Sequence, residues 1–190
     1  MRLFIAVNLP AHERESLYQA TQPLRSAGFP LRFTAPESLH LTLKFLGQVE
    51  APESERIGVA LAEAVQGVRA FDLGIGGFGV FPDDPGHPRV IWTGVERHPA
   101  LELLANDVQV MASRHGFEPE LRPFAPHITI ARVAKDARAT ALADLASVLA
   151  GLSFETMIPV ESVDLMQSAP GRGGSKYTVV RAASLVTSGD

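Results

Sequence analysis

The chain contains no cysteine. That absence excludes a disulfide framework, a thiolate nucleophile and any cysteine-ligated metal. It also lacks a basic excess: 17 Lys and Arg stand against 21 Asp and Glu, a formal charge of -4 over 190 residues. A nucleic-acid partner would have to be met by basic side chains gathered locally, because no general positive field exists. Long apolar runs are missing too. The run Leu3-Phe4-Ile5-Ala6-Val7 is too short for a signal-peptide core or a membrane span, so a cytoplasmic chain without a membrane partner is expected. No linker or low-complexity tract interrupts the sequence, and a single domain over residues 1–190 is expected, with monomer as the expected state.

What is present is an ordinary globular mixture, 46% hydrophobic and 20% charged, carrying two related stretches. The first is His40-Leu41-Thr42-Leu43-Lys44-Phe45-Leu46-Gly47. The second is Pro126-His127-Ile128-Thr129-Ile130-Ala131-Arg132. Both read His-x-Thr-x with aliphatic residues between the polar ones. Successive side chains of a strand point to opposite faces. His40 and Thr42 therefore share one face, and His127 and Thr129 share one face, while Leu41, Leu43, Ile128 and Ile130 face a core. A lone His-x-Thr carries little information. With six His and nine Thr in the chain, two such pairs in matching apolar contexts are expected by chance only in about a few per cent of sequences.

The surrounding pattern alternates strands and helices irregularly. Strand signals lie at residues 3–7, 31–34, 71–81, 89–95, 154–166 and 177–181, besides the two His-x-Thr strands. Helical stripes are carried by Leu17, Ala20 and Leu24 within 11–27, by Ile57, Leu61, Ala64 and Val68 after Pro52, by Leu101, Leu104, Val108 and Met111 after Pro99, and by an alanine-rich stretch at 136–149. Residues 83–88 and 170–175 read as loops, and 188–190 as a loose tail. The order predicts an α+β fold with antiparallel sheets, and the two His-x-Thr strands, 87 positions apart (127 minus 40), mark two diverged halves.

Two imidazoles and two hydroxyls facing one cleft suit displacement at phosphorus. An imidazole titrates near neutral pH, so one ring can act as base and another as acid. Threonine hydroxyls can hold non-bridging oxygens where charge gathers. Strand parity puts Lys44 on the side of His40. Arg132 has the opposite parity to His127 and reaches the cleft only if the strand bends or ends near Ala131. No two histidines have the helical i, i+4 spacing, and neither a metal nor a cofactor is expected.

Other features have plainer readings. Gly74-Ile75-Gly76-Gly77-Phe78-Gly79 fits G-x-G-x-x-G but leads into Val80-Phe81-Pro82 rather than a helix, so a glycine-rich strand beside a close backbone contact is expected. Phe45 and Trp92 read as core residues, with Trp92 or Tyr177 as the minority candidates for stacking a base. His12, His87, His98 and His115 read as solvent-facing.

The two motifs resemble the paired signatures of the 2H phosphoesterase superfamily, and most closely its bacterial RNA 2′,3′-cyclic phosphodiesterase branch, historically called 2′-5′ RNA ligase. Arg2-Leu3-Phe4-Ile5-Ala6-Val7, Pro88-Arg89-Val90-Ile91-Trp92 and Ser175-Lys176-Tyr177 are similar to that branch as well. The resemblance implies a bilobal fold, pseudo-twofold symmetric, with two antiparallel sheets and outer helices around a central groove. It implies hydrolysis of an RNA 2′,3′-cyclic phosphate end to a 2′-phosphomonoester without a metal. On that pattern His40 is the proton donor and His127 the acceptor; the residues alone do not separate the two roles. Thr42 and Thr129 would hold the phosphate, with Arg132 and Lys44 as further substrate-binding candidates. The alternatives are 2′-5′ RNA ligation, action on a small cyclic nucleotide, and a non-catalytic RNA-end binding module.

Overall fold

The computed structural model describes residues 1–83, 87–171 and 174–187. Parts of the two predicted loops (84–86 and 172–173) and the predicted tail (188–190) lie outside the described residues. The strands are β1 (Arg2–Asn8), β2 (Leu31–Phe33), β3 (His40–Gln48), β4 (Phe71–Phe81), β5 (Val90–Val95), β6 (His127–Val133), β7 (Glu155–Val160), β8 (Ser162–Gly171) and β9 (Gly174–Ser184). The helices are α1 (Ala11–Ala20), α2 (Gln22–Ser26), α3 (Ala51–Ala64), α4 (Pro99–Arg114) and α5 (Leu145–Ala150).

All nine strands belong to one antiparallel sheet in the order β7-β4-β5-β6-β3-β1-β8-β9, with β2 beside β6. Its two halves, β3-β1-β8-β9 and β7-β4-β5-β6, are the two expected antiparallel lobes. They meet at one ladder position, Leu41 opposite Ile128. Those two residues are 87 positions apart, the same offset as the two motifs, so the pseudo-twofold axis runs through this junction. On each side of it the chain builds strand, helix, adjacent strand: β1, α1, β3 and then β5, α4, β6.

The helices cover one face of the sheet. α3 packs on α4 and β9, α4 also meets β3, and α2 and α5 pack together with α5 against β4. The apolar stripes read from the sequence do this work. Ile57 and Leu61 of α3 and Leu101, Leu104, Val108 and Met111 of α4 are buried against Leu3, Ile5, Leu41, Leu43, Ile128 and Ile130. Each such side chain contributes on the order of 1.5–3 kcal/mol through removal from water. Among the described residues the opposite face carries a small second cluster, Phe4, Ala6 and Met166 with Tyr177 against it. That leaves the middle of the sheet open on the side where the histidines point.

Three expectations need correction. The helix predicted over 11–27 is two helices, because Pro23 cannot continue α1: it lacks an N–H and its ring would meet the carbonyl four residues back. The chain breaks at Thr21, whose hydroxyl donates to the Tyr18 carbonyl at 2.8 Å. The helix predicted over 136–149 is a single 3-10 turn, Ala139–Leu142, followed by the short α5. Alanine propensity alone does not sustain a short helix, and only Leu142, Leu145 and Leu149 are buried there. The predicted loop at 170–175 is largely a hairpin, in which Pro170 pairs with Ser175 and Gly171 with Gly174. The glycine-rich strand expectation holds for β4: the Trp92 ring lies over Gly79, where any Cβ would collide with it. Gly77 takes φ +70° at the irregularity between Gly76 and Phe78, a conformation glycine adopts at no steric cost.

Candidate active site

The junction of β3 and β6 sets the site. Antiparallel pairing of Leu41 with Ile128 sinks both into the core and brings His40 to the Thr129 end and His127 to the Thr42 end of the junction. Thus four polar side chains surround one point on the open face. Each imidazole is fixed in the same way. His40 Nδ1 is 2.7 Å from the Ser38 carbonyl, and His127 Nδ1 is 2.8 Å from the Ala125 carbonyl. A carbonyl only accepts, so Nδ1 carries the proton in both rings. Nε2 is then the exchangeable nitrogen: a base when neutral, an acid when protonated. His40 Nε2 lies 3.1 Å from Thr42 Oγ1.

The rings are backed by aromatic residues. Phe4 lies 4.8 Å from His40 and Tyr177 meets it edge-on at 5.1 Å. Phe81 meets His127 edge-on at 5.0 Å, and Trp92 stands 5.1 Å behind Phe81. His40 is held below the usual histidine pKa. Loss of solvent is the main cause; the Ser38 carbonyl opposes it, and the positive charges of Arg132 and of protonated His127 add to the lowering. The two halves of the site therefore act on each other electrostatically across the junction.

The structure reverses the parity argument for the two flanking basic residues. In both strands the ladder skips one residue, between Thr42 and Lys44 against β1 and between Thr129 and Ala131 against β5. A bulge of this kind moves the side chains just past it to the other face, in β3 as far as a second irregularity at Leu46. Lys44 is thereby turned into the core, 2% exposed, with Nζ donating to the Glu118 carbonyl at 2.6 Å. It is not a groove residue. Arg132 is turned the other way, onto the face of His127 and Thr129, which agrees with its pull on His40. Phe45 occupies the same place on β3, is 58% exposed, and is not the core residue expected. Its signal was available: 45 and 132 differ by the same 87 positions. Trp92 is half-buried on the groove side, not core. His98 and His115 are not simply solvent-facing either: His98 accepts from the Ala100 N–H at the start of α4, and His115 lies 3.4 Å from Glu53. Phe4 and Phe81 were missed, since nothing in an apolar strand marks which residues face a groove.

Known proteins of this architecture are close at hand. A crystal structure of TT0787 from Thermus thermophilus superposes with TM-score 0.75 at 30% identity, covering 97% of this chain and 98% of that one. A crystal structure of E. coli LigT complexed with NADP+ gives TM-score 0.70 at 28% identity, covering 97% of this chain and 96% of the other. The profile of the 2′-5′ RNA ligase superfamily matches residues 13–172. A protein of Methanothermobacter thermautotrophicus named RNA 2′,3′-cyclic phosphodiesterase is 34% identical over 178 residues, covering 94% of this chain and 95% of its own. One of the same name from Escherichia coli is 33% identical over 190 residues, covering 97% and 96%. The chain belongs to the 2′-5′ RNA ligase superfamily, the 2H phosphoesterases.

Proposed function

We propose that the protein hydrolyses RNA 2′,3′-cyclic phosphate ends to 2′-phosphomonoesters, using His40 and His127 as its acid and base. The observation that carries this is the matched anchoring of the two rings, each with Nδ1–H spent on a carbonyl two residues back, which leaves Nε2 as the working nitrogen, met in His40 by the Thr42 hydroxyl. His127 Nε2 takes a proton from water as the water oxygen attacks phosphorus. The bond from phosphorus to O3′ breaks in line, and His40 Nε2–H delivers a proton to O3′, leaving the phosphate on O2′. Which ring is acid follows the family pattern, not the geometry. The hydroxyls of Thr42 and Thr129 and the Arg132 guanidinium hold the non-bridging oxygens and carry the growing charge, the part a metal ion plays elsewhere. An anionic phosphate between the rings also opposes the repulsion that His40 feels from Arg132 and His127, so binding favours the protonated acid.

The deciding experiment is incubation of an oligoribonucleotide ending in a 2′,3′-cyclic phosphate in excess EDTA. Full turnover with the phosphate retained on the 2′ hydroxyl is expected. A 3′-phosphate product, or activity that needs a metal, rejects the reading; tight binding without turnover favours an RNA-end binding module. The family's ligase name makes end joining a second reading: a 5′ hydroxyl attacking phosphorus in place of water, with the same break to O3′, would give a 2′-5′ linkage in the same groove. Adding an RNA with a free 5′ hydroxyl and looking for a longer product tests it.

A further inference from the structure

Arg132 does not stand alone on its face. Strand β2 pairs with β6 in the register Leu31 with Val133, Arg32 with Arg132, and Phe33 with Ala131. Residues directly opposite on paired strands share a face. Leu31 and Phe33 pack on the main core, and Ala131 and Val133 are buried in it. Arg32 therefore stands beside Arg132 on the groove side, and both are exposed. Like charges directly opposite weaken a strand pair. Among the described residues neither guanidinium has a carboxylate partner: the ion pairs join Arg56 and Glu53, Arg97 and Glu102, and His115 and Glu53. In a chain of net charge -4, this is an uncompensated cationic pair at the end of the groove. Arg132 is the member that His40 feels; Arg32 is one strand farther out, along the edge of β6.

We infer that Arg32 forms a second anion site, one that takes the phosphodiester linking the terminal nucleotide to the one before it. The inference rests on the proposed reading of the groove. It assigns one guanidinium to the reacting phosphate and its neighbour to the next phosphate along the strand. A mononucleotide cyclic phosphate can occupy only the first. The site thus discriminates an RNA end from a small cyclic nucleotide, by a contact that senses the backbone and not the base.

The test compares adenosine 2′,3′-cyclic phosphate with the dinucleotide adenylyl-adenosine 2′,3′-cyclic phosphate, on wild type, Arg32→Gln and Arg32→Lys. Wild type is expected to prefer the dinucleotide in kcat/KM. Arg32→Gln is expected to lose roughly tenfold more on the dinucleotide than on the mononucleotide, mainly through KM, as removal of one charge-assisted contact would do. The slope of log kcat/KM against log salt for the dinucleotide should fall by about 0.7, one phosphate's worth, and Arg32→Lys should restore it. Equal losses on both substrates, no loss, or an unchanged salt slope overturns the inference. Failure of the underlying reading looks different: wild type then turns over neither substrate, and the assignment of Arg32 falls with it.

Discussion

Strands β3 and β6 can be compared residue by residue, because the same offset relates them throughout. Both alternate half-buried and buried positions through the His-x-Thr, and both then bulge and bury two consecutive residues. The backbone is the same device used twice. The difference lies just past the bulge, where Lys44 and Phe45 of β3 answer to Ala131 and Arg132 of β6. On β6 the inward position is a small alanine and the outward one an exposed guanidinium whose charge is felt by His40. On β3 the inward position is a lysine tied to the Glu118 carbonyl, and the outward one a phenylalanine 6.3 Å from Phe4. The symmetric part supplies acid-base chemistry, which needs two like groups. Aromatic rings back both imidazoles, so the asymmetric part adds a cation on the β6 side and one further exposed ring, Phe45, on the β3 side.

The largest effect comes from breaking the symmetric part. His40→Ala and His127→Ala should each cost a hundredfold to ten-thousandfold in kcat, in line with loss of general acid or base catalysis, with the melting temperature little changed. Wild-type turnover in either variant would remove the ring from the mechanism. The pair can be told apart with a substrate carrying sulfur in place of the bridging 3′ oxygen. A thiolate leaves without a proton, so it should rescue His40→Ala much more than His127→Ala; the reverse pattern would exchange their roles.

Next in size is a swap across the asymmetric position. Arg132→Phe makes β6 resemble β3 and removes the guanidinium; a loss of about ten- to a thousandfold in kcat/KM is expected, comparable with loss of one preorganised donor to a developing charge. Phe45→Arg, which makes β3 resemble β6, should cost far less and act on KM. Equal losses in steady-state kinetics would mean that the two sides do the same job. Smaller again is Lys44→Ala. It leaves the Glu118 carbonyl without its partner and should lower unfolding free energy by about 1–3 kcal/mol in a urea titration. If stability stays the same while activity collapses, Lys44 belongs to the groove after all.

The sequence shows the symmetric part of this comparison and hides the other. Repeated His-x-Thr in two aliphatic strands is visible because strand parity and offset are regular, and the helical stripes around Ile57 and Leu104 follow a regular period. What the regular pattern does not show is the residue skipped just after each His-x-Thr, Leu43 in β3 and Ile130 in β6. Leu43 and Ile130 are ordinary strand residues, and nothing in either one announces a bulge, yet each bulge reverses the faces of the residues just past it: Lys44 inward, Arg132 and Phe45 outward. The clue lay in burial logic. A lysine in an otherwise apolar run reads as exposed unless a carbonyl elsewhere satisfies it, and Glu118 is 74 positions away. The pairing of Arg32 with Arg132 is non-local in the same sense, since β2 is only three residues long and its partner lies about a hundred positions on.

The finest test of the comparison is the titration of His40. Its pKa lies below the ordinary value of 6.5, with burial the first cause and Arg132 and His127 contributing. Removing the Arg132 charge removes a repulsion on the imidazolium, so in Arg132→Gln the His40 resonance, followed by NMR through pH, should titrate at higher pH than in wild type. Phe45→Ala, which changes the same place on the other strand without changing charge, should leave that electrostatic part alone. The linkage has a definite sign. The folded state prefers neutral His40, so between its lowered pKa and 6.5 the unfolded chain binds more protons, and stability should fall as pH drops through that window and be flat in this respect above it. His40→Gln should flatten the fall. A His40 that titrates at the same pH with and without Arg132 would mean that the guanidinium does not face the junction, and the two strands would differ less than their geometry indicates.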